Sequence, residues 1–389
     1  MESSHDITTL SGARTEAAVR FQRPELPSPN EIERYLELAR EARWFSNDGP
    51  CSGLFAKRLA LRVGEDLHAV VVANATLGLI VALRALTESS PTEAKQVLMP
   101  SFTYIATLSA VVYAGFEPVF VDVEPGHWHA SPAALATAVE NQGTAVACLL
   151  PCSTFGTAPP REIRERWEEL GRQAGLPVLV DSAAGFGSVD QHGADLGAQG
   201  DAEVFSFHAT KPLAIGEGGV VMTEDESLAK RMRQLTRFGL AEDHSLPGAP
   251  GLNAKMSEAH AAIGLAALDR HDDVLDARRS HFATLRAGLA GQVDFQHDAE
   301  RSTCQFVSAL APDAASRAAI LARAAELRVE VRTYHAPLHL IASLAEYEVS
   351  GAVDVTEELA SRIVSLPMAN DLDQGELERI SRCVTEAGA

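Results

Sequence analysis

Residues 204–219 read VFSFHATKPLAIGEGG. An apolar run, 204–208, gives way to a short polar stretch carrying Lys211, and Gly216 to Gly219 lead into a second apolar run, 219–223. Short apolar runs bounded by glycine read as buried strands. Upstream, Leu176 to Val180 form another such run that ends at Asp181. The same reading gives strands at 68–73, 96–99, 118–122, 145–150 and 177–181, with helices predicted at 75–87, 106–114, 131–140 and 160–174 between them. Strands alternating with helices imply a mainly parallel, seven-stranded α/β sheet covered on both faces. Ligands of such sheets sit beyond the carboxyl ends of the strands. Asn74, Tyr104, Asp181 and Ser206 all fall at or just past such ends, so one cleft is expected to hold them.

Lys211 and Asp181 set the chemistry. Singly, each is ordinary: lysines are mostly solvated, and aspartates often close turns. Together, at the ends of neighbouring strands, they fit pyridoxal phosphate (PLP). The lysine can form a Schiff base with the aldehyde, and the aspartate can keep the pyridine nitrogen protonated. A phosphate site has its own candidate. The run HAVVVA at 68–73 is followed by Asn74, an N-cap for a helix with Leu77, Ile80, Val81 and Ala85 on one face. The free N–H groups of Ala75, Thr76 and Leu77, with the Thr76 hydroxyl, would meet an anion there. This turn lacks the Gly-rich pattern of a dinucleotide site, which disfavours NAD.

Composition narrows the class. The chain has 389 residues and a formal net charge of −20, which argues against nucleic acid and anionic membranes as partners. Its five cysteines are scattered without zinc-site or disulfide spacing, so no metal is expected. No apolar stretch reaches the ~20 residues of a membrane span. The first twenty residues contain acidic and basic side chains and no apolar centre, so a cytoplasmic protein without a secretory leader is expected.

Three segments are expected: a loosely attached extension over 1–25, a large domain over 26–265 and a small C-terminal α+β domain over 266–389. Ser28-Pro29-Asn30-Glu31 is a capping box that opens a helix to about Arg43. Helix 256–270 and its successor lead to strands near 304–310 and 328–333 and helices near 314–326 and 374–387.

The runs Trp44–Pro50 (WFSNDGP), Asn74–Thr76, Pro100–Thr107 (PSFTYIAT), Pro118–Val123 (PVFVDV), Asp181–Gly187, Phe205–Gly219, Gly251–Gly264 (GLNAKMSEAHAAIG), Tyr334–His339 (YHAPLH) and Ser365–Pro367 resemble the DegT/StrS family of PLP-dependent sugar aminotransferases. The resemblance spans about residues 23–385. It implies fold type I, with Lys211 as Schiff-base lysine and proton shuttle and Asp181 on the pyridine nitrogen. It further implies that Ser206 and Thr76, with the Leu77 amide, hold the phosphate, and that Tyr104 stacks on the cofactor ring. Asn253 matches an asparagine that reaches the phosphate of the neighbouring subunit, which implies a homodimer with shared sites. Asn47, Lys255 and His339 are the substrate-side candidates. Two positions depart from the family pattern. Ala184 stands where a Gln or His often helps hold the cofactor's ring hydroxyl or orient the site, and Ala75 replaces the glycine of an Asn-Gly-Thr turn. The implied reaction moves an amino group, with L-glutamate as donor, to a nucleotide-linked keto-6-deoxysugar. A keto-cyclitol acceptor, a PLP-dependent sugar dehydratase or lyase, and a non-catalytic regulator are the rivals. Retention of Lys211 favours transamination over dehydration, and the intact set of Lys211, Asp181, Ser206 and Thr76 argues against a regulator.

Overall fold

The computed structural model describes residues 18–241 and 243–387. The seven expected strands are present: β1 (His68–Val72), β2 (Gln96–Pro100), β3 (Glu117–Val121), β4 (Val146–Leu149), β5 (Leu179–Asp181), β6 (Ala202–Ser206) and β7 (Gly219–Thr223). Their order is β1-β7-β6-β5, continued by isolated bridges Leu149–Val178 and Cys152–Asp181 into β4-β2-β3. Pairings β2–β3, β2–β4 and β5–β6 are parallel, whereas β7 returns antiparallel between β1 and β6.

The helices are amphipathic or fully covered according to their place. Helices α1 (Pro29–Ala42) and α2 (Pro50–Val63) precede the sheet, and α3 (Ala75–Leu86), α4 (Ile105–Tyr113), α5 (Pro132–Gln142) and α6 (Arg161–Ala174) connect its strands. The period of two along each strand divides the core. Val70, Val204 and Val221 pack with Leu79 and Leu83 of α3 on one face. Ala69, Val71, Phe205 and Val220 pack with Phe55 and Leu59 of α2 on the other. After β7 come α7 (Glu226–Thr236), α8 (Glu258–Asp269) and the long α9 (His271–Gly288).

The C-terminal part holds β8 (Asp294–Phe295), β9 (Val307–Leu310), α10 (Ala314–Glu326), β10 (Glu348–Val349), α11 (Asp354–Arg362), β11 (Ile363–Leu366) and α12 (Gln374–Thr385). β11, β9 and β8 form a separate three-stranded antiparallel sheet. β10 instead joins the main sheet beside β3, in parallel, so that sheet gains an eighth short strand from a distant part of the sequence. The strand expected at 328–333 is only a pair of isolated bridges, Val19–Val329 and Arg332–Ser365. The segment has single-residue partners on either side and never a continuous ladder.

Residues 18–25 are not loosely attached. The Val19 amide donates to the Arg328 carbonyl at 2.9 Å, and its carbonyl accepts from Glu330 at 2.9 Å. Val19 is buried, and the Phe21 ring lies 5.4 Å from that of Phe306. An apolar pair in this segment fills a groove in the C-terminal core, which charge content alone did not reveal. Residues 1–17 of the expected extension lie outside the described residues.

Two caps hold the approach to the cleft. The Ser28 box forms as expected, with the Ser28 amide donating to Glu31 at 2.7 Å and the Glu31 amide returning to Ser28 Oγ at 3.4 Å. The start of α2 uses a device the sequence did not show. Its N-cap is Gly49, which has no side chain to offer, and the fully buried Glu258 supplies the acceptor instead. Its carboxylate accepts the amides of Gly49 at 3.0 Å and Cys51 at 2.6 Å, and the Ser52 hydroxyl at 2.5 Å. A Cβ at position 49 would lie 2.8 Å from Glu258 Cδ, so the close approach requires glycine. The contact pins the WFSNDGP loop to α8. Glu258→Ala is expected to destabilise the fold by about 3 kcal/mol, because buried donors lose a charged acceptor. Glu258→Gln, which keeps one carbonyl oxygen, should lose roughly half of that. Denaturant midpoints of the two variants check this ordering.

Candidate active site

The β6–β7 connection carries the lysine. The Phe207 amide donates to the Gly218 carbonyl at 2.9 Å, Ala209 to Gly216 at 2.8 Å, and Lys211 to His208 at 2.9 Å. These bonds fix a compact loop past the end of β6. Gly219 lets it lie against α3: a Cβ there would stand 2.9 Å from the Ala75 nitrogen and 2.8 Å from the Phe205 carbonyl oxygen. The Gly-Gly step therefore brings the lysine loop beside the N-terminus of α3.

Asp181 is buried at the end of β5. Its carboxylate accepts the Thr107 hydroxyl at 2.7 Å and the Ala183 amide at 3.0 Å. Burial raises its pKa above the usual carboxyl range, against the opposing pull of Thr107, the Ala183 amide and the Lys211 charge. Lys211 is half-buried, and burial holds its ammonium down to about 8 although Asp181 and Cys152 pull it upward. The two groups thus sense each other across one site. Lys211 Nζ donates to Gln305 Oε1 at 3.1 Å.

The helix N-terminus offers the expected cradle with one change. Asn74 caps α3, but its Oδ1 accepts the Leu77 amide at 2.9 Å. Leu77 therefore spends its N–H on the cap, and the amides of Ala75 and Thr76 are the ones that helix geometry leaves free. Ala75 stays out of the left-handed region, so alanine is tolerated in place of glycine. Ser206 Oγ accepts the His208 amide at 3.2 Å, which leaves the hydroxyl proton to donate.

Tyr104, the N-cap residue of α4, is exposed, and its ring lies 6.2 Å from that of His335. Asn253 is exposed, and its side-chain oxygen accepts from Lys255, whose ammonium also sits 5.3 Å over the Phe238 ring. The neighbouring Ala254 carbonyl accepts the Ala73 amide at 2.7 Å, so this segment runs along the edge of β1. Asn47 is exposed in a left-handed turn. His339 is committed elsewhere. Its Nδ1 meets the fully buried Ser101 Oγ at 2.7 Å and its Nε2 meets Glu357 at 3.2 Å, a clasp between the end of β2 and α11. That arrangement gives both ring nitrogens of His339 partners within the chain.

Three residues of the cluster were missed in the sequence. Thr107 sits one helical turn after Tyr104, a spacing that could have flagged it. Gln305 and His335 come from the C-terminal part of the chain and carried no local signal.

The residues present fit pyridoxal phosphate. A buried carboxylate suits the pyridinium, a lysine of lowered basicity suits the aldehyde, and free helix amides with two hydroxyls suit the phosphate. Comparison with known proteins agrees. Residues 28–385 match the model of the DegT/DnrJ/EryC1/StrS aminotransferase family. Protein Rv3402c of Mycobacterium tuberculosis is 35% identical over 382 residues, covering 97% of this chain and 92% of that protein. A crystal structure of a putative PLP-dependent aminotransferase from Bacillus cereus is 30% identical and superposes with a TM-score of 0.88 over 95% of this chain and 100% of that one. DesI, crystallised with its TDP-sugar product, is 31% identical with a TM-score of 0.84, covering 94% of this chain and 92% of that one. The fold, the lysine–aspartate pair and these matches place the chain in the DegT/DnrJ/EryC1/StrS family, as a fold-type I, PLP-dependent aminotransferase.

Proposed function

We propose that this enzyme transfers an amino group from L-glutamate to a nucleotide-linked keto-6-deoxysugar, releasing 2-oxoglutarate and an amino sugar. The observation that carries the reading is the likeness to DesI, a structure that holds a TDP-sugar product. Pyridoxal phosphate supplies an electron sink and a carrier for the amino group. The protein's part follows from its residues. Lys211 anchors the cofactor, and as a neutral amine its Nζ takes a proton from the donor's Cα and later returns one to the acceptor carbon. A lysine near 8 is half neutral at pH 8, which suits both directions of transfer. Asp181, oriented by Thr107, holds the ring nitrogen's proton. The amides of Ala75 and Thr76, with the Thr76 and Ser206 hydroxyls, bind the phosphate. Tyr104 covers the ring.

A homodimer completes the reading. Trp44, Phe45, Tyr104, Phe238 and Leu252 expose large apolar surfaces on segments around the cleft, which a second copy would cover. Asn253 would serve the partner's phosphate. In mixed dimers of Lys211→Ala and Asn253→Asp chains, one site collects both defects and the other neither. Partial recovery of activity is expected, and none in verified heterodimers would refute sharing.

The substrate test offers glutamate with a panel of nucleotide keto-sugars and keto-cyclitols and detects amino product by mass. Amination of a nucleotide keto-sugar is expected. Amination of cyclitols alone would replace the acceptor, and loss of water without nitrogen transfer would make the enzyme a dehydratase.

A further inference from the structure

The Ala184 departure leaves one polar group of the cofactor without a partner. Three of its polar features have residues assigned: the phosphate, the ring nitrogen and the aldehyde. The fourth, the ring hydroxyl, sits on the carbon next to the one that bears the aldehyde. Whatever serves it must therefore lie close to Lys211 Nζ and at the rim of the ring. Ala184 offers only a methyl, and its carbonyl is taken by Thr303 Oγ1 at 2.8 Å.

His335 meets the requirement. Its ring stacks on Phe155 at 4.9 Å and 15°, and stands 6.2 Å from the Tyr104 ring and 5.8 Å from Phe102. Phe155 precedes Gly156, whose backbone packs so tightly on Ala184 that a Cβ there would lie 2.3 Å from the Ala184 carbonyl oxygen. The imidazole thus stacks on Phe155, whose chain neighbour Gly156 packs against the position that lacks the polar side chain. Among the described residues, neither ring nitrogen of His335 has a hydrogen-bond partner. The competing groups nearby are committed. Gln305 turns its own amide toward the Thr210 carbonyl at 3.5 Å. Thr107 donates to Asp181, and burial pushes the Cys152 thiol well up, so it stays protonated and donates weakly.

We propose that His335 holds the ring hydroxyl oxygen of the cofactor by donating an N–H to it, in the role that a Gln or His at position 184 would otherwise fill. Burial and the Lys211 charge hold the imidazole down to about 3, so it stays neutral and keeps one N–H donor through the working pH range. A donor at that oxygen withdraws density from it. The oxygen then stabilises the neighbouring protonated Lys211-linked nitrogen less well, and the midpoint of that protonation falls.

The test titrates the visible absorbance of the purified, cofactor-loaded enzyme against pH and measures cofactor dissociation, with no turnover needed. His335→Phe keeps the stack on Phe155 and removes the donor. It should raise the spectral midpoint by about one pH unit and loosen the cofactor about 5- to 10-fold. His335→Gln, which restores a donor, should return most of both effects. An unchanged midpoint in His335→Phe would overturn the assignment, as would a His335→Gln enzyme shifted as far as His335→Phe. Should His335→Phe fail to fold, His335→Met, unbranched and without a donor, is read by the same criteria.

Discussion

Lys211→Ala is expected to abolish turnover, by about 10⁴-fold or more, because one nitrogen both anchors the cofactor and carries the proton. The fold should survive. A half-buried ammonium costs solvation, as its lowered pKa shows, and Gln305 loses only one donor when the side chain is removed. The variant should still bind pyridoxamine phosphate through the Ala75 and Thr76 amides. In the unmodified enzyme, borohydride should fix the cofactor to Lys211 and to no other lysine. A label on Lys255, the other lysine among the proposed site residues, would refute the assignment.

Asp181→Asn carries the second large effect. The side chain is close to isosteric: its carbonyl oxygen can accept the Ala183 amide, and its NH2 can donate to the Thr107 hydroxyl, which turns its own proton to Thr103. Thermal stability should therefore stay near that of the parent. Turnover should nonetheless fall by roughly 10²- to 10³-fold, the scale of removing one preorganised charge from a reacting centre. The physical cause is specific. A neutral amide cannot hold a proton on the pyridine nitrogen, and an unprotonated ring is a weak electron sink. The visible spectrum of the loaded variant and its single-turnover rate with glutamate separate this from loss of binding. Near-parental turnover would mean that another group protonates the ring.

Much of this site was legible in the chain before folding. Lys211, Asp181, Ser206 and the Asn74–Thr76 turn are each written by a short apolar run and the residues just after it. Strand ends and helix caps depend on neighbours a few positions away, and β5, β6 and α3 begin or end within two residues of where the periodicity put them. The mainly parallel character of the sheet follows too, since strands alternating with helices favour parallel neighbours.

Other features exist only after distant segments meet. Glu258 caps α2 from 209 positions beyond Gly49, and nothing in either segment announces the pairing. Gln305 reaches Lys211 across 94 positions, and His335 reaches the cleft only because its segment packs over Phe155. His339, in the run YHAPLH, meets Ser101 and Glu357, partners 238 and 18 positions away. The sequence by itself determined which residues could do the chemistry, because strand-end and capping signals are local. Tertiary structure decided which polar groups remained free to do it, because hydrogen-bond partners from far along the chain satisfy some side chains and leave others open.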